Sequence, residues 1–108
     1  MKKVMLEYLS KVDKARLINK SYHLNDRQVF ILDYVCEKHL SYKGCCIQEI
    51  ILLKTAGSQT TLHAITKELT RLNLIKVKIN PVDNRMKNVL PTFLALKRLK
   101  ALVTIFQK

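Results

Sequence analysis

The sequence predicts a mainly α fold with a small β-hairpin. Only two glycines and two prolines interrupt its 108 residues, fewer than the many turns of a β-sandwich or barrel require. Apolar residues recur at helical spacing over most of the chain, whereas one stretch, "LIKVKI" (74–79), alternates and is β-branched. At this length a single core is expected, so residues 1–108 read as one domain.

The elements follow in order. Residues 3–20 form a first helix, with Met5, Leu9, Val12 and the pair Val4/Tyr8 recurring along it. "YHLNDRQ" then breaks the chain and caps the next helix. Asn25 is the expected N-cap, Gln28 completes a capping box, and Leu24 and Val29 stand at the offsets of a hydrophobic staple. The second helix runs to about His39 with Val29, Leu32, Cys36 and Leu40 on its inner face. "CCI" reads as a short strand before "QEIILLKT", a compact third helix ended by Gly57.

Ser58 caps the fourth helix, "SQTTLHAITKELTRL", whose apolar stripe is Leu62, Ile65, Leu69 and Leu72. At about 100° per residue the opposite side centres on Thr60, Ala64, Lys67 and Arg71, with His63 beside them. Asn73 ends this helix, since asparagine tolerates the left-handed conformation found there. "LIKVKI" is a strand with Lys76 and Lys78 on one face; "NPVDNRMK" is a turn and "NVL" the return strand. "PTFLALKRLKALVTIF" is the last helix, with Pro91 fitting its first turn or Thr92 its cap.

This order is that of a winged helix-turn-helix with flanking N- and C-terminal helices. Residues 47–72 are then the helix-turn-helix, 74–91 the wing, and 1–22 and 92–108 candidate dimerisation helices. The terminal helices carry more apolar residues than a small core requires, including Leu94, Leu99, Leu102, Ile105 and Phe106. Such a stripe is normally buried against a partner, here a two-fold related copy.

Twenty Lys+Arg against eight Asp+Glu give a formal charge of +12. That exceeds the roughly 2–8 that keeps a small domain soluble, and it favours a polyanionic partner. After Asp83 no acid follows, whereas Arg85, Lys87, Lys97, Arg98, Lys100 and Lys108 do. No membrane or export signal is read: "IILL" and "NVLPTFLAL" are too short to span a bilayer, and charged residues interrupt the N-terminal stretch. Cys36, Cys45 and Cys46 form an odd set with no framework spacing, which suits reduced thiols in a cytosol.

Cys36, His39, Cys45 and Cys46 match no standard zinc spacing, so neither metal nor cofactor is expected. His23, His39 and His63 are scattered, and no nucleophile–His–acid spacing, glycine-rich phosphate loop or carboxylate cluster occurs, so catalysis is not expected either. The aromatics lie mostly at core-like positions, which disfavours RNA stacking.

The second helix of a helix-turn-helix enters the major groove led by its N-terminal residues, here Ser58, Gln59, Thr60, Thr61 and His63. Gln59 can pair with adenine, Thr60 and Thr61 with bases or phosphates, and Ala64 can touch a thymine methyl. Lys67 and Arg71, further along, suit phosphates. In the wing, Asp83, Asn84, Arg85 and Lys87 are the candidates. An arginine at the wing tip suits the narrow, negative minor groove. Asp83 either aims the Arg85 guanidinium through a bidentate bond or braces the hairpin; otherwise the two form an exposed pair of little energy.

"LNDRQVFILDYV" and "SQTTLHAITKELTRLNLIKVKINPVDNRMKNVLPT" resemble the MarR family of bacterial winged-helix transcriptional regulators over about residues 24 to 92. The specific parts are the fourth helix running into "LI" and the D-x-R of Asp83 and Arg85 followed by Leu90. The sequence departs from the family pattern at Ala64, often arginine or another polar residue, and at Asn73, usually glycine. It departs again at Leu94, where the L-T-x-x-G pattern ends in glycine. The resemblance implies a cytoplasmic homodimer on palindromic double-stranded DNA, usually a repressor. The chain is shorter than most members where paired helices build an effector pocket, which argues against a small-molecule effector. The alternatives are a winged-helix DNA-binding protein of plasmid or phage replication or maintenance, and a protein-interaction winged helix.

Overall fold

Local chemistry fixes where the helices begin. The Asn25 side chain accepts a hydrogen bond from the Gln28 backbone N–H at 2.9 Å, and the Asn25 N–H donates to Gln28 Oε1 at 2.8 Å. This reciprocal box starts a helix at Asp26, and Leu24 and Val29 both join the core beside it, as the staple requires. Ser58 Oγ accepts from the Thr61 N–H at 3.2 Å, and Thr92 Oγ1 from the Ala95 N–H at 3.2 Å, starting two more helices.

The computed structural model describes residues 1–53, 56–83 and 85–107. Lys54, Thr55, Asn84 and Lys108 lie outside them, and the third helix ends at Ile51 rather than running on to Gly57 as expected. The order is α1 (Lys2–Ser21), α2 (Asp26–Leu40), α3 (Ile47–Ile51), α4 (Gln59–Arg71), β1 (Ile75–Ile79), β2 (Lys87–Pro91) and α5 (Phe93–Phe106). Strands β1 and β2 pair antiparallel, with Ile75 opposite Pro91, Val77 opposite Val89 and Ile79 opposite Lys87. The expected "CCI" strand is reduced to a single bridge from Cys46 to Asn88, beside a bond from the Val89 N–H to Cys45 O at 2.8 Å.

One core joins α2, α3, α4, the base of the hairpin and the start of α5. Ile31, Leu32, Val35 and Cys36 of α2 meet Ile50, Leu62, Ile65, Leu69, Leu74, Ile75, Val89 and Ala95. Each buried leucine or isoleucine contributes about 1.5–3 kcal/mol, so this cluster holds the α4–hairpin unit together. The α4 stripe is as expected, although Leu72 is only half-buried. On α2 the inner face is turned from the expected one: Leu40 is exposed, and Ile31 and Val35 take the core positions.

Two further differences concern the ends. Pro91 closes β2 rather than opening α5. Thr92 caps the helix and also donates from Oγ1 to Asn73 O at 2.7 Å, locking α5 to the end of α4. Helix α1 buries no residue of its own: Val4, Met5, Tyr8 and Leu9 all stay exposed. In α5, by contrast, Leu94 and Leu99 pack on the chain's own core, while Val103 and Phe106 remain largely open. No helix among the described residues is long and apolar enough to cross a membrane.

Arg98 fastens the terminal helices to the rest. Counted from sequence among the surface cations, it is fully buried. Its Nε donates to Asn19 Oδ1 of α1 at 2.8 Å, and Nη1 donates to Asp33 Oδ1 of α2 at 3.1 Å. Nη2 finds no partner among the described residues. Helical spacing puts Arg98 in line with Ala95 and Leu102, but nothing local names Asn19 and Asp33 as its partners.

Candidate nucleic-acid interface

The turn between α3 and α4 depends on Gly57. Its φ is 144°, and an added Cβ there would stand 3.3 Å from Thr61 Cγ2. A side chain at this position would be strained by the backbone and crowded by the first turn of α4. At the other end Asn73 has φ 61°, the left-handed conformation that its amide side chain tolerates. Its N–H returns to Thr70 O at 3.0 Å, and the Leu74 N–H returns to Leu69 O at 3.0 Å, so α4 passes directly into β1.

Burying Leu62, Ile65 and Leu69 turns Gln59, Thr60, His63, Ala64, Lys67 and Arg71 outward, and all six are exposed. Ser58 and Thr61 differ from them. Ser58 Oγ donates to Thr61 Oγ1 at 3.0 Å while accepting the Thr61 N–H, so both hydroxyls serve the cap first. Arg71 is also engaged. Its Nε and Nη2 reach Glu68 Oε1 and Oε2 at 2.7 and 2.6 Å, and that fork holds the Glu68 carboxyl below its ordinary value. Among the described residues, Lys67 is the outward cation on α4 with no carboxylate within ion-pair distance.

The hairpin stands beside this face. A cavity of about 420 Å³ between them is lined by His63, Lys67 and Thr70 of α4 and by Val77 and Lys87 of the strands. A second, of about 540 Å³, is lined by His63 together with Arg85, Met86 and Lys87. The helix face and the hairpin cations therefore border common space rather than pointing to opposite sides.

This arrangement has solved counterparts. The S. aureus MepR–DNA complex superposes with a TM-score of 0.71 at 21% identity, over 97% of this chain and 80% of that one. A single-substitution mutant of MepR bound to an oligodeoxyribonucleotide gives 0.74 at 20% identity, over 98% and 76%. MepR bound to ethidium bromide gives 0.72 at 21%, over 98% and 75%. The chain is a winged helix-turn-helix. MepR is a MarR-family regulator, so the fold agrees with the resemblance carried by the α4 and D-x-R segments. The sequence itself matches no protein-family model and no curated protein.

Within the winged helix, Asp83 shapes the tip of the wing. Asp83 Oδ1 accepts the Arg85 backbone N–H at 3.0 Å and the Arg85 Nε at 3.4 Å. One carboxylate oxygen serves both, so the expected bidentate hold on the guanidinium is absent. The Asp83 carbonyl accepts the Met86 N–H at 3.0 Å, and Asn80 Oδ1 accepts the N–H groups of Val82 and Asp83. These are side-chain-closed turns. The Arg85 side chain is 93% exposed, so its charge stands out from the tip. Lys87 is exposed at the start of β2.

The cysteines of the winged helix do not form a centre. No group of three His, Cys, Asp or Glu among the described residues could hold a metal ion. Burial pushes Cys36 up to about 11 and Cys45 up to about 12, so both are neutral thiols near neutral pH. Cys46 is half-buried at the wing groove. The native protein at pH 8 is expected to titrate about one thiol promptly with an aromatic disulfide reagent, and all three after unfolding. Prompt reaction of all three in the native state would contradict this burial.

Proposed function

We propose that the chain is a sequence-specific double-stranded DNA-binding transcriptional regulator, acting in the bacterial cytoplasm as a homodimeric repressor. The observation that carries this is the shared cationic edge of α4 and the wing, with His63 and Lys87 lining both cavities between them. In this reading Gln59, Thr60 and Ala64 meet base edges, Ser58 and Thr61 hold the helix start toward the duplex, and Lys67 meets phosphate. Arg85 enters the minor groove and Asp83 positions it by fixing the turn. Arg71 belongs to the same surface after exchanging Glu68 for phosphate; Asn84, the remaining wing candidate, lies outside the described residues. The solved MepR–DNA complex supports the reading by its fold. No catalytic step is assigned to the chain.

The experiment is binding of the full chain to duplex DNA selected from random sequence, followed by two variants. Gln59→Ala is expected to flatten the preference between selected and unrelated duplexes by about tenfold while non-specific affinity holds. Arg85→Ala is expected to weaken both together, because the minor groove is read largely by shape and charge. Absence of binding to any duplex at low salt would remove the proposal.

The exposed apolar residues of α1 support the dimer. Val4, Met5, Leu6, Tyr8 and Leu9 are each more than half exposed, as is Leu17. A helix that keeps such a stripe in water invites a partner surface, and two-fold symmetric sites require two copies. Sedimentation equilibrium is expected to give twice the chain mass, and Leu6→Glu with Leu9→Glu to give the single chain. A monomer in the unsubstituted protein would overturn the dimer.

A further inference from the structure

Duplex DNA accounts for the cations of this face but leaves its apolar floor unused. The 540 Å³ groove between α3 and the wing is floored by Ile47, Ile51, Leu52 and Met86. The groove passes, through Ile47, His63 and Lys87, into the 420 Å³ cavity that reaches Lys67. The two form one furrow between the wing and the helices, running from Arg85 at the tip to Thr70 of α4. Leu52 is 60% exposed and Met86 41%. Apolar side chains open in a groove of this kind mark an interaction site more than a solvated surface.

Charge decides what kind of segment fits. The furrow is edged by Lys67, Arg85 and Lys87, with His63 between. Among the described residues no carboxylate lines it. Phosphodiester backbone would satisfy those cations and offer nothing to Leu52 or Met86. We propose that the furrow docks an acidic protein segment bearing large apolar side chains, which occupies Arg85 and Lys87 and thereby excludes the duplex. The exclusion rests on the DNA reading above; the docking does not.

The test uses the full chain and two labelled synthetic peptides of equal charge, one of glutamate and leucine, the other of glutamate and serine. Fluorescence anisotropy is expected to show the leucine peptide binding about tenfold more tightly. Leu52→Ser with Met86→Thr, both at exposed positions, is expected to abolish most of that preference and leave binding of the serine peptide unchanged. Unlabelled duplex is expected to displace the leucine peptide. Equal affinity for the two peptides, or a preference that survives both substitutions, would overturn the docking site. Simultaneous binding of duplex and peptide would overturn the exclusion. A preference found in a chain that binds no duplex would leave the site standing and remove the DNA reading instead.

Discussion

Arg98→Ala is expected to cost about 2–4 kcal/mol of folding stability, the range for truncating a large buried side chain that is also a paired charge. The substitution removes the bonds from α5 to Asn19 of α1 and to Asp33 of α2, and leaves a void where the guanidinium lay. The upper part of the buried-pair range is not expected, because Asp33 is half exposed and water can solvate it once its partner is gone. The informative comparison is with Arg98→Met. Methionine keeps most of the volume, removes the buried charge, and abolishes the unpartnered Nη2. It should therefore lose far less than alanine, or nothing. Arg98→Lys should fall between them, since one ammonium cannot span Asn19 and Asp33 as a planar fork does. Urea denaturation of the three variants measures this directly. If alanine costs no more than a surface substitution, Arg98 does not fasten the terminal helices.

Arg98 also shows where the sequence stops being readable. In "LKRLK" it sits among cations, and composition places it on the surface with them. Its burial depends on where Asn19 and Asp33 stand, 79 and 65 residues away, which no local pattern encodes. The elements that were legible are those decided within one turn of chain. The Asn25–Gln28 box, the Ser58 cap, the left-handed Asn73 and the obligatory Gly57 each follow from backbone chemistry that the residue type announces. The α4 stripe was legible for a related reason: its apolar and polar faces separate cleanly, so one rotation of the helix satisfies both. Helix α2 is apolar over more of its circumference, and periodicity left its orientation open by about one residue. At the wing tip, pairing Asp83 with Arg85 was foreseeable, but its geometry was not. The carboxylate turned to the backbone N–H because that donor is held in place, whereas the guanidinium is largely solvated and meets the same oxygen only at 3.4 Å.

The strongest expected response of duplex binding is to salt. Each phosphate neutralised by Lys or Arg releases condensed counterions, giving a slope of about −0.9 in log–log form per phosphate. Lys67, Arg85 and Lys87 stand on the proposed face, and Lys76 and Lys78 project from the exposed strand β1. A dimer engaging three to five of these per copy makes roughly six to ten contacts, so affinity should fall about 10³–10⁵-fold between 50 and 200 mM salt. A chain of charge +12 would show some salt dependence wherever its cations lay, so the slope must be assigned by position. Lys67→Gln should lower its magnitude by about one per copy. Lys14→Gln, which removes the same charge from exposed α1, should leave the slope nearly unchanged. Equal effects from the two variants would mean that the duplex is held by net charge alone, with no defined face. A change confined to Lys67 would place the phosphate track along α4.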